Sequence, residues 1–286
     1  MTSPSFTEHR IAVEQGALYA RDYAGAGPAF VLMHGFPDNL HIYDDLVPYL
    51  VAAGRRVVTF DFLGFGASDK PGHGYSFAQQ MGDLEAVVAG LDLDRIVPVV
   101  HDSSGPTGVN YALAHPDRVA SLAILNSAYD DAIPVLWPEL VELFASKAFH
   151  ALAMTVAETP AQFGWILMWQ QKQFRDALPE PLASRFDQFM GPLIADNFLK
   201  SGSATAFATL AAQFHDELAR NTLKLAELRQ LDVPVKVIWG DYDPYITTAV
   251  GQDRASHFRK ATFEALPAGH WLQSDMPEAV ARALLA

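Results

Sequence analysis

Three side chains that can act as nucleophiles stand side by side in the segment VVHDSSGPTG, residues 99–108. They are Asp102, Ser103 and Ser104, and they lie where an apolar run ends and a helix-like stretch begins. An aspartate is already ionised at neutral pH and can displace a leaving group at saturated carbon, which leaves an ester on the protein. A serine needs a histidine base in both half-reactions. The segment therefore predicts covalent catalysis, and the residue type decides which bond is attacked.

An acid and a histidine further along the chain complete a catalytic set. Asp243 stands in the loop GDYDP and His270 in the loop GHW, and each loop follows an apolar run. His270 would take a proton from water as general base, oriented by the carboxylate of Asp243. Asp241 is the alternative acid in the same loop.

Continuous apolar runs precede these loops and predict the elements that position them. Runs without polar alternation are typical of strands buried on both faces of a parallel sheet. They are AFVLM, RVVTFDF, RIVPVV, VASLAIL, VKVIWG and ATFEALP, after two shorter strand-like runs, RIAV and ALYARDY. Helical periodicity alternates with them, so we predict a mostly parallel, doubly wound α/β sheet. In such sheets the active residues follow the carboxyl ends of the strands.

One long stretch interrupts this alternation. Residues 129–222 contain no buried apolar strand and carry amphipathic segments such as GWILMWQQKQF and ATAFATLAAQFHDELA. We predict a helical cap inserted there into an α/β core formed by residues 1–128 and 223–286. Such an insertion shares its surface with the carboxyl edge of the sheet, where the ligands of α/β proteins bind.

The loops HGFPD, DFLGFGASDKP, HDSSGP and GHWLQSD together resemble the α/β-hydrolase superfamily, in its branch of haloalkane dehalogenases and epoxide hydrolases. The resemblance covers residues 8–128 and 225–286. It implies an α/β-hydrolase fold with an inserted helical cap. It also implies that nucleophile, acid and histidine follow in the order Asp102, Asp243 and His270.

The turn pattern of this family distinguishes between the three candidate nucleophiles. The family places small residues two positions before and two positions after the nucleophile. The Ser103 register puts His101 at one of these crowded positions, and the Ser104 register puts a proline there. Asp102 is therefore the predicted nucleophile, although Val100 replaces the usual glycine.

The same comparison predicts the groups that contact substrate. The backbone N–H groups of Phe36 and Ser103 are expected to form the oxyanion hole. Further predicted contacts are His34, Asp38, Tyr129, Trp137, Trp165, Trp169 and Trp271. His34 is expected to order the oxyanion loop rather than to react. Trp165 and Trp169 lie one helical turn apart, so a buried stripe inside the cap is the alternative for them.

The chain departs from each member of this branch where a leaving group would be stabilised. Haloalkane dehalogenases carry a Trp, and fluoroacetate dehalogenases an Arg, directly after the nucleophile, where this chain has Ser103. Epoxide hydrolases supply tyrosines from the cap, and this chain has none between Tyr129 and Tyr242. We expect a haloalkane dehalogenase-like hydrolase of small apolar substrates, with an epoxide hydrolase as the first alternative. Two further alternatives remain. One is a serine esterase or lactonase that uses Ser103, and the other is a ligand-binding protein without turnover.

The amino-acid composition restricts the binding partners and the cellular compartment that we expect for this protein. The formal net charge of −13 disfavours nucleic acid and anionic membranes. The absence of cysteine excludes disulfides and thiolate chemistry and fits a reducing compartment. The first residues show neither the basic nor the apolar region of a signal peptide, so we expect a cytoplasmic protein, as monomer or homodimer. The predicted chemistry needs carboxylate, imidazole, backbone N–H groups and water, so we expect no cofactor and no metal.

Overall fold

The computed structural model describes residues 3–131, 133, 135–199 and 202–286. The strands of this described chain are β1 (Thr7–Val13), β2 (Gly16–Tyr23), β3 (Ala26–Met33), β4 (Arg55–Phe60), β5 (Ile96–Asp102), β6 (Leu122–Ser127), β7 (Val235–Gly240) and β8 (Ala261–Leu266). They form one sheet in the order β1-β2-β4-β3-β5-β6-β7-β8. The pairs β1/β2 and β2/β4 are antiparallel and the others are parallel. The predicted mostly parallel α/β sheet is confirmed.

Helices connect the strands from β3 onward and follow the last of them. Their bounds are α1 (Val47–Ala52), α2 (Phe77–Gly90), α3 (Gly105–Ala114), α4 (Glu139–Ala145), α5 (His150–Glu158), α6 (Pro160–Asp176), α7 (Leu182–Arg185), α8 (Gly191–Leu199), α9 (Ser203–Ala211), α10 (Phe214–Thr222), α11 (Leu225–Leu228), α12 (Thr248–Ser256), α13 (Leu272–Asp275) and α14 (Pro277–Leu285). Shorter 3-10 turns cover Leu40–Tyr43, Pro116–Arg118 and Lys147–Phe149, and a π-helical turn covers Phe186–Met190.

Burial explains why the central strands have continuous apolar sequences. β6 is buried along its whole length, and β5 is buried up to its last residue, Asp102. Strands covered on both faces gain from apolar residues at every position, so no alternation survives in the sequence. β1 lies at the edge of the sheet and keeps several exposed positions. The loops with Asp102 and Asp243 accordingly follow buried strands, β5 and β7, whereas the loop with His270 follows β8, an edge strand that is buried only at Leu266.

Between β6 and β7 the described residues form helices and no strand. We call the helices α4–α10 the cap. The ring centroids of Phe144, Phe163, Phe198 and Phe207 in its interior lie 4.8 to 6.5 Å apart. Phe36 of the core adds an edge-to-face contact with Phe207 at 5.3 Å. The aromatic interior of the cap therefore continues into the loop after β3.

In the described part of the chain no single helix is long and apolar enough to cross a membrane. The segments Glu139–Ala145 and Lys147–Glu158 reach the length and apolar composition of a membrane span only when they are counted together, and they meet at an angle of 79°.

Candidate active site

Asp102 lies at a strained turn between β5 and α3. Its φ is +53°, a left-handed conformation that residues other than glycine rarely adopt. The turn is crowded, because a Cβ on Gly105 would lie 1.9 Å from the carbonyl oxygen of Ala128. A Cβ on Gly35 would lie 2.3 Å from Asp102 Oδ2. The turn presents the carboxylate of Asp102 to a cavity beneath the cap.

The two neighbouring serines are held in other positions. Ser104 Oγ lies 2.8 Å from the carbonyl oxygen of His101 and accepts a hydrogen bond from the N–H of His101 at 2.9 Å. Ser103 is buried outside the lining of the cavity, and its Oγ accepts a hydrogen bond from the N–H of Phe36 at 3.1 Å. Of the three candidate nucleophiles, Asp102 is the one that faces the cavity.

His270 and Asp243 reach Asp102 from two other loops, after β8 and after β7. His270 Nδ1 lies 2.6 Å from Asp243 Oδ2, and His270 Nε2 lies 3.8 Å from Asp102 Oδ1. The carboxyl ends of three parallel strands thus bring the three predicted residues together. Asp241, the alternative acid, is exposed, and its side chain lies 3.4 Å from the Thr248 hydroxyl.

Asn126, at the end of β6, fixes the carboxylate of Asp243. Asn126 Nδ2 donates to Asp243 Oδ2 at 2.8 Å, and Asn126 Oδ1 accepts from the N–H of Gly240 at 2.6 Å. The N–H groups of Tyr245 and Ile246 donate to the other oxygen of Asp243 at 3.0 and 3.2 Å. Our sequence reasoning gave Asn126 no role, although its place after a buried strand is a signal for this edge of the sheet.

Burial and charge set the pKa values of Asp102 and His270. Burial raises the pKa of Asp102, while the charge of His270 and the backbone N–H groups of Ser103 and Phe36 act in the opposite direction. Burial lowers the pKa of His270, but Asp243 and Asp102 outweigh it and raise this pKa to about 9. At neutral pH the imidazole is therefore cationic between two carboxylates.

The two predicted oxyanion donors converge on the carboxylate of Asp102. The N–H of Phe36 donates to Asp102 Oδ2 at 2.9 Å, and the backbone N–H of Ser103 also bonds to this carboxylate. Donors that already point at the carboxylate stabilise negative charge developing there without reorganisation.

Asn197 of α8 ties the cap to the oxyanion loop. Its Nδ2 donates to the carbonyl oxygens of Pro37 at 2.7 Å and Asp38 at 2.9 Å, and its Oδ1 accepts from the N–H of Gly66 at 3.1 Å. The sequence carries no local signal for this residue, because its three partners come from distant segments of the core. The position of the Phe36 donor therefore depends on the cap.

The cavity between cap and core has a volume of about 50 Å³. Its wall is mainly apolar and includes Leu140, Leu167, Phe174, Ile194, Phe207 and Phe214. Gln170, Gln171 and Tyr245 add polar groups, and no Lys or Arg lines it within the described chain. An apolar wall with a few directed polar groups suits a small neutral ligand.

Two of the predicted substrate contacts, Trp137 and Trp271, line this cavity. Trp271 Nε1 donates to Asp38 Oδ2 at 2.8 Å, so this N–H is already engaged. Trp137 packs edge-to-face on Phe214 at 5.0 Å. In the described residues its indole N–H has no hydrogen-bond partner, which leaves it available to a ligand.

The predicted contacts from the cap helix α6 need correction, because Trp165 and Trp169 lie outside the lining of the cavity. Trp165 is 62% exposed on the outer surface of the cap, which also excludes the alternative of a buried stripe. Trp169 is half-buried. Leu167 and Gln170 turn toward the cavity instead, so the helix presents a different face from the one expected.

Three core residues predicted to contact substrate also lie outside the lining. His34 Nδ1 donates to the carbonyl oxygen of Gly35 at 2.7 Å and its Nε2 accepts from the N–H of Phe62 at 3.1 Å, so its ring orders the loop, as expected of it. Asp38 is buried beneath Trp271. The hydroxyl of Tyr129 donates to Asn110 at 3.2 Å.

Comparison with known proteins identifies related chains. The profile of the family described as alpha/beta hydrolase fold matches residues 28–277. A fluoroacetate dehalogenase from a Burkholderia species is 41% identical over 132 residues, which are 44% of this chain and 41% of that protein. The match thus spans less than half of the dehalogenase.

Other relatives match more of the chain at lower identity. Epoxide hydrolase 3 of Xenopus tropicalis is 26% identical over 265 residues, 88% of this chain and 69% of that protein. The structure of a thermophilic esterase from Thermogutta terrifontis superimposes with a TM-score of 0.76 at 20% identity. That likeness covers 98% of this chain and 97% of the esterase and concerns the fold alone.

Proposed function

From the premise that the chain belongs to the α/β-hydrolase fold family and is a hydrolase, we propose that it works through Asp102 as a covalent nucleophile on small neutral substrates. The observation that carries the proposal is the orientation of the Asp102 carboxylate at the strained turn. It faces the cavity, whereas the Ser103 hydroxyl lies outside the lining. The preferred activity is haloalkane dehalogenase-like.

In the first step Asp102 attacks a saturated carbon of the substrate. The bond from carbon to the leaving group breaks as the ester bond to Asp102 forms, and the electron pair departs with the leaving group. No base is needed, because the nucleophile is an anion. His270 Nε2, 3.8 Å from the carboxylate, holds this anion in place as its counter-ion.

In the second step water hydrolyses the ester. Esterification removes the negative charge of Asp102, so the pKa of His270 falls and the imidazole can accept a proton from water. The resulting hydroxide attacks the carbonyl carbon of the Asp102 ester. The oxyanion that forms is stabilised by the N–H groups of Phe36 and Ser103, each typically worth about 3 kcal/mol.

The cavity supports neutral substrates over anionic ones. Fluoroacetate, named for the Burkholderia relative, carries a carboxylate that needs a counter-ion when it is buried. No Lys or Arg of the described chain lines this cavity. We therefore propose that the present chain turns over alkyl compounds without a charged group.

Mass spectrometry of a trapped intermediate tests the nucleophile. The variant His270→Gln should form the ester with n-propyl bromide and fail to hydrolyse it, so intact mass should increase by one propyl group located on Asp102. The matched control, Asp102→Ala in the same background, should gain no mass. An adduct on Ser103, or no adduct from a compound that the wild-type enzyme consumes, would contradict the proposal.

Epoxide hydrolysis is the second candidate, because a tyrosine hydroxyl lines the cavity and an epoxide oxygen needs a donor when the ring opens. That residue is Tyr245, two positions after the catalytic acid rather than in the cap. The same trapping experiment with propylene oxide distinguishes the two activities. A hydroxypropyl adduct on Asp102, with no adduct from propyl halides, would favour this candidate.

A further inference from the structure

The orientation of the Gln170 amide is determined by its partners. The N–H of Leu140 donates to Gln170 Oε1 at 3.0 Å, and a backbone N–H can only donate. Oε1 is therefore the oxygen, and Nε2 donates to the Tyr245 hydroxyl at 2.6 Å. The Tyr245 hydroxyl in turn donates to Glu139 Oε2 at 2.6 Å. Hydrogen bonds thus run in one direction from Gln170 through Tyr245 to Glu139, and such chains strengthen each member.

This arrangement leaves one N–H of Gln170 unused. Nε2 carries two hydrogens, of which Tyr245 takes one. In the part of the chain that the structure describes, no residue accepts the other. Gln170 is only 5% exposed and lines the small cavity that also contains Asp102 and His270. A buried donor without a partner, already oriented by its neighbours, stabilises an anion at little reorganisation cost.

We propose that the unused N–H of Gln170 binds the departing halide while Asp102 attacks. The assignment rests on the proposed function above. The bond between carbon and Asp102 forms as the carbon–halogen bond breaks, the halogen leaves with the bonding electrons, and the halide accepts a hydrogen bond from Gln170. No proton moves in this step. The later proton released from water passes to His270.

The same contacts favour a halide over an epoxide oxygen. An opened epoxide is an alkoxide and must receive a proton, which an amide N–H does not give up. Tyr245 directs its hydroxyl proton to Glu139, and burial, together with that hydrogen bond, raises the pKa of Tyr245 above its usual range. Gln170 and Tyr245 therefore suit a leaving group that is stable as an anion. Such a group needs hydrogen bonds rather than a proton.

Leaving-group dependence tests the assignment. In the His270→Gln background, Gln170→Leu should slow formation of the Asp102 ester by about 100-fold with n-propyl chloride, a loss typical of one missing donor. The loss should shrink for n-propyl bromide and be smallest for n-propyl iodide, because better leaving groups need less help. The matched control is Gln173→Leu on the same helix, whose amide contacts the Trp169 carbonyl at 3.4 Å outside the cavity. It should leave all three rates unchanged.

Each outcome decides the question. Equal loss for the three halides, or no loss, would overturn the role of Gln170. Tyr245→Phe supplies a second variant if Gln170→Leu does not fold: Gln170 remains but loses its orienting acceptor, and a smaller loss with the same halide order is expected. If the parent His270→Gln forms no ester with any propyl halide that the wild-type enzyme consumes, the proposed function fails first. An ester formed equally fast with and without Gln170 refutes this inference alone.

Discussion

The charge of His270 depends on the charge of Asp102, because the two side chains lie 3.8 Å apart in a buried site. In the free enzyme the carboxylates help to raise the pKa of His270 to about 9, which makes the imidazole a cation. A cation assists the anionic nucleophile but cannot act as a base. In the proposed mechanism, esterification removes the charge of Asp102 and so lowers the pKa of His270 at the step in which a base is needed. The coupling between the charge of Asp102 and the pKa of His270 would thus set the order of the two proposed chemical steps.

The variant Asp102→Asn imitates the neutral ester and allows this coupling to be measured. We expect the pKa of His270 to fall by at least about one unit relative to the wild-type protein, because one negative charge near the imidazolium is removed. Titration of the histidine ring by NMR gives both values. Equal pKa values in the two proteins would show that Asp102 does not control the protonation of His270.

Asp38 provides a second prediction at the level of a single side chain. It is fully buried, and burial raises its pKa to about 7. Because the folded value exceeds the unfolded one, its contribution to stability is complete below about pH 4 and is lost as the pH rises through 7. In Asp38→Asn the amide oxygen should keep accepting from Trp271 Nε1, and the side chain no longer titrates.

Chemical denaturation at two pH values tests this prediction. The free energy of unfolding of Asp38→Asn, relative to wild type, should increase by about 3 kcal/mol from pH 5 to pH 9. A difference between the two proteins that stays constant with pH would mean that Asp38 is ionised in the fold throughout.

At the level of elements, the central strands could be predicted from the sequence because burial on both faces leaves an unbroken apolar run. The meeting of Asp102, Asp243 and His270 at one edge of the sheet could be predicted because each follows a strand-like run, and their catalytic roles stay a prediction. The inner face of α6 could not, since Trp165 and Leu167 are both apolar and only tertiary packing decides which one is covered. Asn197 and Gln170 were also missed, because their partners lie on other elements and leave no pattern in the local sequence.

Helix α12 is joined to the segment after β6 by a buried ion pair. Arg254 on α12 contacts Asp130, and both side chains are almost fully buried. The variant Arg254→Met should lower the free energy of unfolding by about 3–5 kcal/mol, because it buries the carboxylate without this counter-ion. Urea denaturation measures the loss. The double variant Arg254→Met with Asp130→Leu should recover most of the lost free energy of unfolding. A double variant as unstable as Arg254→Met alone would show that the unpaired carboxylate is not the cause.

At the level of the whole molecule, the cap and the core form the site together. The core carries the predicted nucleophile, base and acid, while the cap contributes Gln170 to the cavity wall and the hydrogen bonds of Asn197 to the oxyanion loop. Arg185 of α7 adds a hydrogen bond to the carbonyl oxygen of Ser274 at 3.0 Å and an ion pair with Asp45. Geometry at the reacting atoms therefore depends on contacts made across the boundary between these two parts.

The variant Asn197→Leu tests this dependence. Three hydrogen bonds to the core are lost, so we expect a destabilisation of about 2 kcal/mol and faster hydrogen exchange at Phe36. Exchange measured by mass spectrometry locates the effect. Asn221→Leu is the matched control, since Asn221 is equally buried in α10 but bonds to Asn110 and Glu217. It should lose stability without altering exchange at Phe36, and the same change in both variants would contradict a specific link.

In the proposed dehalogenation, a cavity of about 50 Å³ leaves little room for the alcohol, the released halide and an incoming substrate together. We therefore expect both products to leave before the next substrate enters, so that each catalytic cycle includes a product-release step. The chemical steps and product release are then separate events, and slow product release can limit the turnover rate even when bond cleavage is fast.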